Sequence, residues 1–245
     1  MIFLRDNKLV LISSDTDTKT VVLKHVLDEE SIRDIIDEKK TNVFKTLLKR
    51  PKREEVHVHS VKFFYEAILK VSAKYNADFF RKAIHPIKVD YNVSEVILGD
   101  GVFPIKSKSG ITKALSGKRG KNKVDLKLEE HVFVETEDSM YFDHHGKEIK
   151  FPFKINSKTI ENYPKRILRN NEPNVKRPEI TKKTALTKLS EKLQRPLESD
   201  VRDLNDEFTI KEISEIYIPI FEARLVGPKK KIGIMRIDAV RRKIL

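Results

Sequence analysis

Hydrophobic and polar positions alternate with two different periods along this chain. The first stretches are strand-like: residues 2–5 and 8–13 read as a hairpin around Arg5-Asp6-Asn7-Lys8, and Lys19–Leu27 reads as a third strand. The period then lengthens. Ile32, Ile35 and Ile36 form one helical face behind an acidic first turn (Asp28, Glu29, Glu30), where carboxylates meet the positive end of the helix dipole. Lys39 and Lys40 close that helix. Val43, Phe44, Leu47 and Leu48 suggest a second short one, ended by Pro51. From Val56 to Ile105 the spacing returns to two, through Val56 and Val58, then Ala67, Leu69, Val71, Ala73, Tyr75 and Ala77, with Pro86 and Gly99-Asp100-Gly101 as punctuation. A second β region covers Val124–Val134 and Met140–Phe153, with Asp143-His144-His145-Gly146-Lys147 as its hairpin tip.

Residues 156–181 hold three prolines and five asparagines with few periodic apolar positions, and read as a linker or extended arm. Leu186, Leu189 and Leu193 then mark a basic helix over 181–193, and Leu197, Val201 and Leu204 suggest another short helix after it. Ile216–Val226, a Gly227-Pro228-Lys229-Lys230 turn and Ile232–Ala239 form a closing hairpin. This ending, with Arg236-Ile237-Asp238-Ala239-Val240, resembles the closing hairpin of PepSY-type modules, with Arg241-Arg242 where a glycine is expected in the last turn. Phe64–Leu69 and Ile216–Phe221 also look alike, as two related sheet units would. The reading is an α+β protein in four parts: a small N-terminal α/β unit (1–52), a central antiparallel β-rich domain (53–155), a basic linker or arm (156–180), and a C-terminal helix plus β-hairpin unit (181–245).

Composition narrows the chemistry. The 245 residues include no cysteine, which excludes disulfides, thiolate metal sites and thiol nucleophiles. Arg5, Asp6 and Lys8 interrupt any apolar stretch at the start, so a secretory signal is not expected, and no run reaches the ~18–20 apolar residues of a membrane helix. A cytoplasmic protein is the expectation. Abundant Lys, Glu and Ile without Cys or Trp is a thermophile-like composition.

Charge changes the picture most. The net charge is +13, and nearly all of the excess follows residue 105. Three basic stretches (106–127, 149–195 and 224–245) alternate with two acidic ones (128–148 and 196–223). If the basic stretches converge, their fields add and attract a polyanion; if each pairs with an acidic neighbour, they do not. The first contains Lys106, Lys108, Lys113, Lys118, Arg119, Lys121 and Lys123 in a glycine-rich run, where backbone can approach phosphates and cations displace counterions. The second offers Lys165, Arg166 and Arg169, with Tyr163 available to stack on a base. The third offers Lys229, Lys230, Lys231, Arg241 and Arg242.

Catalytic signals are thin. Six residues separate Gly110 from Gly117-Lys118, where a P-loop needs four, and Arg119 stands where Ser or Thr must bind magnesium. No dinucleotide fingerprint or nucleophile elbow occurs, so no cofactor is expected. His57 and His59 share one face of a strand and could share a metal given a third ligand. Asp100 with Asp125-Leu126-Lys127 matches a metal-dependent nuclease pattern, but acid-x-Lys pairs occur no more often than composition dictates. The expectation is therefore a non-enzymatic nucleic-acid-binding accessory protein that contacts phosphates of DNA or RNA. The alternatives are an adaptor docking on a larger assembly, and the Asp100/Asp125/Lys127 nuclease.

Overall fold

A computed structural model describes residues 2–5, 8–11, 17–46, 49–90, 92–105, 122–194 and 201–245. It is a mixed α+β fold, as the alternating periods imply. The strands are β1 (Ile2–Arg5), β2 (Lys8–Leu11), β3 (Lys19–Val22), β4 (His57–Val89), β5 (Glu95–Leu98), β6 (Gly101–Pro104), β7 (Asn122–Phe142), β8 (Val175–Lys176), β9 (Val201–Val226), β10 (Ile232–Asp238) and β11 (Lys243–Ile244). The helices among the described residues are α1 (Glu29–Lys39), α2 (Pro164–Asn170) and α3 (Lys182–Gln194). The main sheet runs β11-β10-β9-β4-β7, with β3 paired to β9 and β8 paired to β4; β1-β2 and β5-β6 are separate hairpins. The chain forms two compact units, residues 1–74, 137–193 and 208–245 in the first, 75–136 and 194–207 in the second.

In the first unit, sheet faces follow strand parity. Odd-numbered Phe221, Ala223 and Leu225 of β9 pack with Ile32 and Ile36 of α1 and with Val43 and Phe44. Even-numbered Ile216, Ile218 and Ile220 pack with Ile68 and, at their margin, Phe151, Phe153 and Ile160. Such a strand is buried on both sides, which explains the near-continuous apolar run Ile216–Phe221. Helix α1 starts where the acidic turn predicts: the Asp28 side chain accepts from the Ser31 N–H at 2.8 Å.

The β9–β10 hairpin depends on two glycines. A Cβ on Gly227 would lie 2.8 Å from the Phe44 ring, and one on Gly233 would lie 2.5 Å from Val43 Cγ1 and 2.8 Å from Phe44 Cζ. Gly233→Ala must push the 3-10 turn Lys40–Phe44 off the hairpin or strain it. We expect a loss of about 1–3 kcal/mol, read from the urea midpoint, as for other overpacked contacts.

The second unit holds the far part of β4 with segments of β7 and β9 and the β5–β6 hairpin. Tyr75 is fully buried, and its hydroxyl donates to Asp206 at 3.1 Å. Burial and the Asp206 charge raise the phenol above its ordinary range. Arg81 and His85 both bind Glu130, at 2.8 and 2.6 Å, tying β4 to β7.

Several segments differ from the sequence expectation. Of the three residues expected in a short helix, Leu197 lies outside the described residues, while Val201 and Leu204 stand in β9, and Asp203 beside them has φ 54°, a left-handed residue that interrupts the two-residue alternation. The stretch 156–181 contains α2, opened by Pro164 at its first position and anchored by buried Leu168, and then β8. β4 continues through Pro86 as one strand of 33 residues.

Candidate functional site

The clearest cationic feature lies at the β9–β10 hairpin of the first unit. The Gly227 N–H donates to Lys231 O at 2.8 Å and closes the turn. Within it Lys229 and Lys230 both have φ 57°, a left-handed conformation that costs non-glycine residues of the order of 1 kcal/mol each. Across from this turn, the chain after the 3-10 turn folds back on itself. The Thr46 N–H donates to Lys49 O at 2.9 Å, and the Lys49 N–H donates to Thr46 Oγ1 at 3.2 Å. Arg50 Nε donates to buried Thr41 Oγ1 at 3.0 Å and holds the fold-back in place. The result is a cleft of about 530 Å³ whose wall includes Lys45, Lys49, Lys229 and Lys231, with Phe44 and Pro228. All four lysines are exposed, and no carboxylate lines the cleft among the described residues.

A second cationic cleft, of about 280 Å³, lies on α2. Lys165 and Arg169, one turn apart, line it with Arg177, Thr20, Glu172, Glu215 and buried Tyr217, whose hydroxyl donates to Glu215 at 2.8 Å, so three cations face two carboxylates. Glu172 takes both of its oxygens to Arg177, at 2.9 and 3.1 Å, so Arg177 is neutralised. Among the described residues, Lys165, Arg166 and Arg169 have no ion-pair partner, and all three are exposed. Tyr163, just before α2, is 70% exposed.

A third cluster is built differently. The β4–β8 register sets Glu66 opposite Lys176, and the side chain of Glu66 is only 10% exposed. Lys176 Nζ donates to Glu66 Oε1 at 2.9 Å, and Arg236 of β10 donates to the other oxygen. His144 closes the group, its Nδ1 3.6 Å from Glu66 Oε2. It is set there by the turn after β7, in which the Lys147 N–H donates to Asp143 Oδ1 at 2.9 Å. Burial pushes the Glu66 carboxyl up, but the Lys176 hydrogen bond and the Arg236 charge outweigh it and hold the group below its usual range. Burial lowers His144 and outweighs the pull of Glu66 the other way. The cleft in front of this cluster also contains Asp238 paired to Arg241 at 2.6 Å. Its charges cancel within its own wall, so it presents little field to a polyanion.

The sequence-derived residues are distributed as follows. Lys106, Lys108, Lys113, Lys118, Arg119 and Lys121 lie outside the described residues. Lys123 is exposed on β7 in the second unit. Lys229, Lys230 and Lys231 share the hairpin turn, whereas Lys165, Arg166 and Arg169 form the separate α2 group. Arg241 is bound to Asp238 and lies over Phe153, while Arg242 is exposed with φ 58°. Asp125 and Lys127 share the exposed face of β7, and Asp100 is exposed in the β5–β6 turn. His57 and His59 are exposed on β4, and no group of three or more metal-binding side chains occurs among the described residues. Lys45 and Lys49 escaped the sequence reading because they lie far from the hairpin in the chain. The only local hints were Gly227 and Gly233, spaced to admit a ring.

No protein-family model matches the chain, and comparisons with curated proteins and with solved structures found no match. Among the described residues, no helix is long and apolar enough to cross a membrane.

Proposed function

We propose that this protein binds nucleic acid through the phosphate backbone, as a non-enzymatic accessory factor with little base readout. The observation that carries the reading is the four-lysine cleft at the β9–β10 hairpin, with no carboxylate in its described wall. Four lysines on one cleft wall with no carboxylate between them add their fields, and an entering phosphate is drawn to that field while releasing its condensed counterions. The strained turn at Lys229 and Lys230 supports the same reading, because left-handed non-glycine residues concentrate at binding sites. Phosphate contacts position a protein on the polymer without specifying bases, so a weak sequence preference is expected.

The test is a salt titration. Four phosphates engaged on duplex DNA give a slope near −3.6 in log K against log salt, so affinity should fall ~100-fold between about 50 and 200 mM. Binding measured by fluorescence anisotropy that stays level across that range would contradict the proposal, as would no binding at the low end.

A further inference from the structure

The two unneutralised cationic groups of the first unit stand on the same side of its sheet. Residues of one parity on a strand point the same way. Tyr217 packs with Leu168 of α2, and Phe221, Ala223 and Leu225 pack with α1, Val43 and Phe44. All four β9 residues are odd-numbered, and the even-numbered Ile216, Ile218 and Ile220 face the other way. Phe63 of β4 packs in both odd-side clusters and joins them. The α2 cleft therefore sits over Tyr217, and the lysine cleft sits past Val226, at the far end of the same face.

At ~3.3 Å per residue, the strand from Tyr217 to Val226 spans about 30 Å. Lys229 and Lys231 extend beyond it in the turn. The ground between is not cationic. It is covered by α1, which carries Glu29, Glu30, Asp34, Asp37 and Glu38; Arg33 pairs with Glu29, Lys39 with Glu38, and Lys40 and Arg53 with Asp37, which leaves Glu30 and Asp34 without an ion pair among the described residues. The ground beneath the two clefts is joined by hydrogen-bonded strand, with the lysines themselves carried on the turn and fold-back at its far end.

We infer that the preferred ligand is double-stranded nucleic acid, gripped at phosphates one helical turn apart by the two clefts. The inference rests on the phosphate-binding reading above and specifies its substrate. A duplex returns a backbone to the same side every ~34 Å and recedes into a groove between. That recession leaves the acidic α1 facing no phosphate. A single strand following the same face would have to pass the carboxylates of α1, and would lose more freedom in being held straight.

The experiment measures affinity for DNA duplexes of about 8 and about 16 base pairs, either side of one helical turn, and for a single strand of the longer length. The second contact becomes intramolecular on the longer duplex, so affinity should rise at least ~10-fold between the two lengths. The K165E/R169E variant keeps the lysine cleft; it should still bind the short duplex, more weakly than the parent because its net charge is lower, but its affinity should not rise with duplex length. The single strand should bind no better than the short duplex. Equal affinity for the two lengths, a rise that survives in K165E/R169E, or a single strand matching the long duplex would each overturn the duplex inference and leave phosphate binding standing. No binding to any of the probes would overturn both.

Discussion

Replacing Glu66 with Ala should destabilise the first unit by about 3 kcal/mol. Glu66 faces Lys176, Arg236 and His144 together, and its own side chain is nine-tenths buried. Removing one partner of a buried pair costs ~3–5 kcal/mol, because the remaining charges stay desolvated and unpaired. Lys176 and Arg236 each keep about a third of their exposure, and Arg236 retains Glu222 at 3.7 Å, which places the loss at the lower end of that range. Glu66→Gln should lose nearly as much, since the amide keeps the shape but not the charge. Chemical denaturation at neutral pH measures the loss. A change below ~0.5 kcal/mol would mean the cluster is hydrated and contributes like a surface pair.

The same cluster sets an acid response. The folded state holds both Glu66 and His144 below their ordinary pKa values. A depressed group stabilises the fold above its unfolded pKa and loses that contribution as pH falls through its folded value. The His144 contribution should therefore fade below pH ~6.5, and the Glu66 contribution below pH ~4.3. In Glu66→Ala the second decline should disappear, while a decline due to His144 should remain.

The sequence and the structure agree where the signal is local. The acidic start of α1, the His144-His145 turn and the closing hairpin were all legible, because each is decided within a few residues. The segment around Val201 was not. Val201 and Leu204 fit a helical period only because the left-handed Asp203 shifts the strand alternation by one, and nothing in the local composition marks that shift. The stretch 156–181 was hidden for another reason. A seven-residue helix with one buried leucine shows too little periodicity to recognise, and its burial comes from Tyr217 and Val22, far along the chain. For the candidate site, the three lysines of the turn were visible as a run. Their union with Lys45 and Lys49 was not, because it depends on Phe44 seating against Gly227 and Gly233. The paired state of Arg241 was likewise invisible until Asp238 was placed beside it.

The second large effect belongs to the lysine cleft. Reversing its charge with the substitutions K45E, K49E, K229E and K231E should lower affinity for duplex DNA at least ~100-fold at low salt, because each lost phosphate contact removes ~0.9 from the salt slope. All four side chains are exposed, so the fold should survive. The same four substitutions made on exposed lysines elsewhere in the first unit, at Lys147, Lys150, Lys154 and Lys158, provide the control for net charge. If the cleft is the site, the control variant should keep most of its affinity despite carrying an identical overall charge. The most direct measurement is therefore the binding isotherm of these two variants on one duplex at one ionic strength. The account predicts loss in the cleft variant and retention in the control. Equal loss in both, or retention in both, would contradict it.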